Sequence, residues 1–344
     1  VRNDGASFAS RRKNALVPRH IGTEVERMSS GGARPEIVCM MAERSYFHGA
    51  AALSNSLVRN GFAGHIVVGY RGMLPVWEGP VQPAPGPAQE LAPGVDITFV
   101  EVTGDWHLSN QKPHFMLRIA TEIYPDPASI WYFDVDIVIK TAWSSFTRWV
   151  EGGLVLVLDM AETFMPPSHV FRREWRALAL RSGLGHRDVT GYFNGGCVGL
   201  PGHELGFLRA WARLLDGYAQ DGADMTRMVN RTGKPEYAKM DQDLLNVAVM
   251  ATDTPYGVLG VEAMDAFPSA SIMSHAMVFD KPWSRNYIRD AIIGFQPDPA
   301  HLAYWSYADG PIRSFTAQEW QRKKRILKIT RLLGYIKRRT VRDW

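Results

Sequence analysis

Ile130-Trp131-Tyr132-Phe133-Asp134-Val135-Asp136 is the stretch on which the reading of the fold turns. This apolar and aromatic run reads as a strand, and it ends in two carboxylates spaced by two. Residues i and i+2 share one face of a strand. Two acids placed there repel unless a cation lies between or beside them. In an open α/β sheet, ligands collect at the carboxyl ends of the strands. Asp134 and Asp136 could therefore hold a divalent metal, with diphosphate oxygens and water completing an octahedron. A solvated strand end or a helix cap is the alternative reading of the same residues.

Working outward, the chain alternates between strand and helix patterns. Ile37–Met41 reads as a strand, Gly49–Val58 as a helix stopped near Asn60-Gly61, and His65–Tyr70 as a second strand. Pro75–Pro93 is rich in Pro and Gly and reads as a long loop. Ile97–Val102 is a third strand, Phe115–Ile123 a helix, and Ile130–Phe133 a fourth strand. Leu154–Leu158 adds another apolar strand; Phe171–Leu180, Leu205–Tyr218 and Asp243–Met250 read as helices. This order predicts an α/β fold with a doubly wound, mostly parallel sheet flanked by helices. No internal repeat is visible. The weakly patterned region Met160–Val189 is expected to cover or border a site. Residues 1–34 are expected to be a flexible N-terminal arm, 35–300 a catalytic domain, and 301–344 a C-terminal extension.

Composition narrows the class. With 344 residues, 46% hydrophobic and 22% charged, the chain has enough apolar material for one large core. Its two cysteines, Cys39 and Cys197, cannot build a disulfide framework, and no Cys-x-x-Cys pair offers a zinc site. Cys39 lies in an apolar run and is expected to be a buried thiol in a reducing compartment. No secretory signal is apparent, and no uncharged apolar run approaches the roughly 18 residues needed to span a bilayer, so the expected location is cytoplasmic. The net charge of +4 conceals an asymmetry: Arg322–Trp344 carries ten Lys or Arg against Asp343, or +9, which leaves −5 for the rest. Within that tail, Ile326, Ile329, Leu333 and Ile336 fall at helical spacing, with basic residues on the other sides. Such a helix suits an anionic membrane surface, which would place the protein peripherally on its inner face; a helix docked on the body is the alternative. Nucleic acid is not expected as a partner of an acidic body without a nucleic-acid motif. Walker A, Gly-x-Ser-x-Gly and His-Glu-x-x-His patterns are absent.

Three further clusters join the acid pair. Tyr192-Phe193-Asn194-Gly195-Gly196-Cys197-Val198-Gly199-Leu200 contains paired glycines that allow close approach to the backbone, and an amide suited to sugar hydroxyls; a tight turn is the plainer reading. Asp241-Gln242-Asp243-Leu244-Leu245-Asn246 sets two acids at a helix start, where Asp241 could simply be an N-cap. His275 is followed six residues later by Lys281-Pro282-Trp283, in which the lysine could neutralise phosphate or be a solvated charge.

Taken in order, the four clusters resemble glycosyltransferase family 8. Its motifs are Asp-x-Asp closing a strand, Phe-Asn-x-Gly, Asp-Gln-Asp-x-Leu-Asn, and His with a downstream Lys-Pro-Trp. The resemblance spans about Ile37 to Trp283. It implies the GT-A fold, which narrows the sheet to a Rossmann-like one, and a retaining, metal-dependent hexosyltransferase that uses a nucleotide-sugar, with a UDP-hexose as expected donor. The acceptor would be a glycan or a lipid-linked molecule of lipopolysaccharide or capsule type. It also implies roles for single residues. Asp134, Asp136 and His275 match the metal ligands, and an imidazole in an otherwise oxygen site suits Mn2+ better than Mg2+. Ala42, Glu43 and Tyr46 occupy the place of the nucleoside, Tyr46 being able to stack on the base. Arg118, Asp134, Val135, Asn194, Gly195 and Lys281 match donor contacts. Gln242, Asp241 and Asp159 surround the transferred sugar. The long Pro75–Pro93 loop, the length between Asp136 and Asp241, and Gly195 in place of the family's common Ala are departures from the pattern. A sugar-1-phosphate nucleotidylyltransferase would share nucleotide, sugar and metal, but the turn Met41–Phe47 has no glycine. A non-catalytic sugar-nucleotide-binding membrane scaffold is the alternative from outside enzymology.

Overall fold

The computed structural model describes residues 34–230, 233–265, 271–277 and 280–342. Apart from Arg34, the arm expected over residues 1–34 lies outside them. Strand β1 (Glu36–Ala42) leads into helix α1 (Phe47–Arg59) and β2 (Gly64–Tyr70). The hairpin of β3 (Gln89–Ala92) and β4 (Val95–Glu101) precedes α2 (Lys112–Arg118), which runs on as a π-type turn over Ile119–Ile123. Next come β5 (Ser129–Phe133), β6 (Ile137–Ile139), α3 (Ser144–Val150), β7 (Leu154–Val157) and α4 (Val170–Arg181). The second half holds β8 (Cys197–Pro201), α5 (Leu205–Gln220), α6 (Met240–Ala251), β9 (Tyr256–Leu259) and β10 (Met273–His275). Helices α7 (Tyr287–Ile292), α8 (Pro299–Tyr307) and α9 (Ala317–Arg342) close the described chain.

Among the described residues the main sheet has eight strands in the order β3-β4-β2-β1-β5-β8-β7-β9, with β1, β2, β4 and β5 parallel. Side-chain alternation explains why these strands look uniformly apolar in sequence. Ile37, Cys39 and Met41 join one core, with Met116, Trp211 and Leu245 from the helices on that face. Val38, Met40 and Ala42 point to the opposite core, with Phe47 and Leu53 of α1. Trp131 and Phe133 fall on the α1 side and Ile130 and Tyr132 on the other. A strand buried on both faces has no polar alternation to display. Cys39 and Cys197 are both buried free thiols, and burial pushes each thiol's pKa up.

Three features depart from the sequence reading. The Tyr192–Leu200 cluster is a turn only as far as Gly196; Cys197–Pro201 then forms β8, inserted antiparallel between β5 and β7. Glycine hid this strand, and packing explains the glycine. Gly199 pairs with Trp131, and a Cβ built on it would lie 2.3 Å from the indole ring. The loop Pro75–Pro93, in turn, ends in the edge strand β3. A small second sheet, absent from the sequence reading, pairs β10 with β6 antiparallel and sets His275 opposite Ile137.

The C-terminal helices pack on α1 and on one another. The Asn55 amide donates to the carbonyls of Tyr307 (2.9 Å) and Ile312 (2.8 Å), and its Oδ1 accepts from the Ile312 N–H (2.9 Å). Helix α9 turns Leu327 and Thr330 into the body, where Trp283, Tyr287, Tyr304 and Trp305 form a third core. Of the stripe expected on this helix, Ile326 is half-buried whereas Ile329 and Leu333 are exposed; the side chain of Ile336 lies outside the described residues. No helix among the described residues is long and apolar enough to cross a membrane.

The Gly199 contact gives a stability prediction. Gly199→Ala should lower unfolding stability by about 1–3 kcal/mol, because the indole it strikes is itself fully enclosed. Gly206→Ala, on α5 with open space around it, should be neutral or slightly stabilising. Urea denaturation checks both; equal midpoints for the two variants would contradict the packing described.

Candidate active site

Asp134 and Asp136 do not sit on a strand face, as the sequence suggested. β5 ends at Phe133, and the pair occupies the turn into β6, closed by the Ile137 N–H donating to the Asp134 carbonyl at 2.9 Å. The turn, not strand alternation, brings the carboxylates together. Pairing of β10 with β6 delivers His275, whose Nε2 lies 3.3 Å from Asp136 Oδ1. Metal-ligating atoms of Asp134, Asp136 and His275 all lie within 4.8 Å of one another. The paired glycines allow this closeness: a Cβ on Gly196 would stand 2.6 Å from His275 Cε1 and 3.0 Å from Asp134 Oδ2. His275 Nδ1 is buried with no hydrogen-bond partner among the described residues. Two carboxylates and an imidazole with an unsatisfied nitrogen fit a divalent cation.

Two lysines balance the acids. Lys281 Nζ donates to Asp136 Oδ2 at 2.6 Å and to the Ala276 carbonyl at 3.0 Å. Burial pushes the Asp136 carboxyl up, but His275 and Lys281 outweigh it and hold the group well below the usual carboxylate range. The second lysine, Lys112, was missed in the sequence. It is fully buried at the start of α2 and lies 3.1 Å from Asp134 Oδ1 and 2.8 Å from Asp241 Oδ2. It also donates to the Gly195 carbonyl at 2.9 Å and stands 5.1 Å from the Tyr132 ring centroid. Burial acts to lower its pKa, but the two aspartates win and keep it protonated. Asp134 is pushed up by burial and by Asp136, against the pull of Lys112. A charge count over the sequence clusters could have found Lys112, because Asp134, Asp136 and Asp241 outnumber Lys281.

A second polar group lies beside the first. Gln242 Oε1 accepts from the Gly195 N–H at 3.0 Å, and its Nε2 donates to Asp159 Oδ2 and to the Tyr192 hydroxyl, both at 3.0 Å. The Asn194 amide donates to the same Asp159 oxygen at 2.9 Å, and its Oδ1 accepts from the Gly196 N–H at 2.8 Å. Tyr192 donates on to Asp243 at 2.6 Å, and burial raises the Asp243 carboxyl to about 7. Tyr192 and Asp243 were quoted in the sequence clusters without a role; here they fix the orientation of Gln242.

Most of the sequence-derived residues converge on this region. Ala42 ends β1, and Glu43 follows it, close enough to His107 for its charge to act on that imidazole. Tyr46 is 41% exposed and meets Trp283 edge-on at 5.5 Å, beside Lys281. Val135 is buried within the acid turn. Arg118 stands apart: its guanidinium donates to the Glu101 carbonyl at 2.9 Å and lies near Glu122, with no contact to the acid cluster among the described residues.

The Lys112 arrangement carries its own test. Lys112→Met removes one member of a buried charge group and leaves Asp134 and Asp241 facing each other. Stability should fall by about 3–5 kcal/mol, and adding Asp241→Asn to it should restore part of that loss. Chemical denaturation of the single and double variants measures both. An additive double variant would contradict direct coupling.

No family model matches this chain, and no curated protein matches it. Among solved structures, it is similar in fold to the glycosyltransferase GlyE of Streptococcus pneumoniae TIGR4, with 13% identity and a TM-score of 0.46 over 86% of this chain. It is likewise similar to the galactosyltransferase LgtC, solved with donor and acceptor sugar analogs, with 15% identity and a TM-score of 0.46 over 83% of this chain and 99% of that one. A third likeness is to the bifunctional glycosyltransferase WbbM, with 14% identity and a TM-score of 0.44 over 80% of this chain. The chain spans 63% of the GlyE chain and 52% of the WbbM chain.

Proposed function

We propose that this chain is a retaining, metal-dependent glycosyltransferase of family 8 type, built on the GT-A fold, that moves a hexose from a nucleotide-sugar. The observation that carries the reading is the juxtaposition of two groups. Asp134, Asp136 and His275 form a cation-binding set flanked by Lys112 and Lys281, and the Gln242–Asp159–Asn194 amide and carboxylate group lies against it through Gly195 and Gly196. One part suits a diphosphate and the other a sugar. A bound divalent cation, Mn2+ in this reading, would offset the charge that builds on the departing nucleoside diphosphate.

The protein's own groups divide the rest of the work. Lys281, the more accessible lysine, neutralises phosphate oxygen, while Lys112 holds Asp134 and Asp241 in place from below. Tyr46 and Glu43 receive the nucleoside, with UDP as the expected nucleotide. Asp159, Asn194 and Gln242 bind sugar hydroxyls; their mutual hydrogen bonds set their directions before substrate arrives, which limits reorganisation in the transition state. Gln242 is an amide and a poor nucleophile, so transfer is assigned to front-face attack. The acceptor hydroxyl enters on the side the leaving group departs from and gives its proton to a phosphate oxygen. The acceptor is a glycan or lipid-linked molecule, and the basic tail holds the enzyme to the anionic membrane where such acceptors lie, on its cytoplasmic face.

Asp136→Asn should lower nucleoside diphosphate release from a nucleotide-sugar by roughly a hundredfold or more in Mn2+. His275→Ala should shift the Mn2+ activation curve to higher metal, with excess Mn2+ restoring part of the activity. Full activity of Asp136→Asn at saturating donor, or an unmoved curve for His275→Ala, would remove that residue from the site. Gln242→Ala should slow transfer while sparing donor binding. Mass spectrometry after quenched turnover should find no sugar on Gln242 or Asp241, and a covalent adduct on either would overturn front-face transfer.

A further inference from the structure

Several exposed apolar residues lie near the C-terminal end of the described chain, on elements that the site does not use; others, such as Met73, Val76 and Phe164, are scattered over the body. Ile288 on α7, Ile293 and Phe295 in the turn after it, and Ile329, Leu332 and Leu333 on α9 are each between 47% and 62% exposed. Helices α7 and α9 lie against each other, so the two sets sit on neighbouring elements. On α9 the geometry is specific. Leu327 and Thr330 are turned inward; at 100° per residue Leu332 then points almost directly away from the body, with Ile329 outward to one side. A helix docked on one face and otherwise solvated would carry polar groups there.

The exposed charges around these residues are mostly basic. Arg289, Arg322, Arg325, Lys328 and Arg331 are exposed among them. The nearby acids are already engaged: Asp290 pairs with Arg285 at 2.6 Å, and Glu319 accepts from the backbone and hydroxyl of Thr316. A cavity of about 560 Å³ opens between α7 and α9, bounded by Trp283, Ile288 and Phe315, by Arg285, Arg322 and Lys323, and by the acid Glu319. Its apolar wall and its three cations, against one carboxylate, suit a lipid phosphate with the upper part of its chains. The far side of Trp283 meets Tyr46 at the candidate active site.

We infer that α7, the turn through Phe295 and the outer face of α9 form a single surface that inserts into the interfacial region of an anionic membrane. This deepens the reading of the basic tail, on which it rests for the sign of the lipid charge. It adds a separate apolar element, upstream of the tail, that drives binding by burial. Apolar side chains interleaved with cations along a helix match a lipid interface, which offers acyl chains and anionic headgroups at adjacent depths. The two elements differ in salt response: attraction of the tail is screened, burial of Ile293 and Phe295 is not.

The test is co-sedimentation of the full chain with vesicles of mixed phosphatidylglycerol and phosphatidylcholine, and of phosphatidylcholine alone, at low and high salt. The full chain should bind the anionic vesicles and retain part of that binding at high salt. The double variant Ile293→Asp/Phe295→Asp, with near-UV circular dichroism as the check on folding, should partition at least about tenfold more weakly at both salts. Leu332→Asp provides a second, independent disruption of the surface. Arg325→Gln/Lys328→Gln should weaken binding chiefly at low salt. Wild-type partitioning by the folded Asp variants overturns the inference, as does failure of the full chain to bind anionic vesicles. If truncation before Gln321 abolishes binding while the Asp variants bind normally, the tail reading stands and the α7 surface falls. The reverse pattern overturns the single surface, because α9 would then contribute nothing to binding. Capture of an acidic protein partner by a chain that ignores vesicles would assign the surface to protein. None of these readouts depends on glycosyl transfer.

Discussion

Burying several carboxylates at one end of a sheet is the constraint on which this structure depends. Asp134 and Asp136 share a short turn, and Asp241 approaches from the start of α6. Like charges at this spacing cannot remain ionised in a protein interior unless cations are built around them. Lys112 meets Asp134 and Asp241, while Lys281 and His275 meet Asp136. Each of these three partners comes from a different element: the start of α2, the end of β10 and the segment after it. The cluster therefore ties together parts of the chain more than a hundred residues apart. The outer third of the Asp134 side chain that stays exposed is its open side.

The sheet supplies the position for that cluster. The parallel strands β1, β2, β4 and β5 direct their carboxyl ends the same way, and β8 returns antiparallel beside β5. Because β8 runs backwards, the turn that feeds it, Asn194-Gly195-Gly196, sits next to the acid turn that leaves β5. The Asp134 N–H donates to the Gly196 carbonyl at 2.8 Å, which fastens the two turns together. One antiparallel insertion thus sets the amide-rich group beside the charge cluster, and no long loop is needed to reach it.

Much of this was legible in the sequence. The buried strands β1, β2 and β5 stand out as apolar runs, and α1, α4, α5 and α6 as periodic ones, because a large two-sided core leaves a dense hydrophobic pattern. What escaped was short or locally ambiguous. β8 reads as a turn because Gly196 and Gly199 are required by His275 and Trp131, partners that lie far away in sequence. β6 and β10 have three residues each, too few to set a period. Lys112 precedes a proline in a polar stretch and carries no local mark; only the unbalanced aspartates call for it. Arg118, six residues later, is a more conspicuous cation on the same helical segment, yet its guanidinium faces Glu101 and Glu122. On α9 the sequence showed an apolar stripe, but the docked side is the adjacent one through Leu327 and Thr330, which leaves Ile329 and Leu333 outward.

A cation and diphosphate site at this acid cluster, with its two lysines, is tested most directly by electron paramagnetic resonance of Mn2+ titrated into the purified full chain with and without UDP, which reports free metal and needs no turnover. One Mn2+ should bind per chain, held more tightly when UDP is present and lost in a variant lacking both Asp134 and Asp136 carboxylates. Mn2+ that stays free with UDP present, or that binds equally well to the variant, would contradict it.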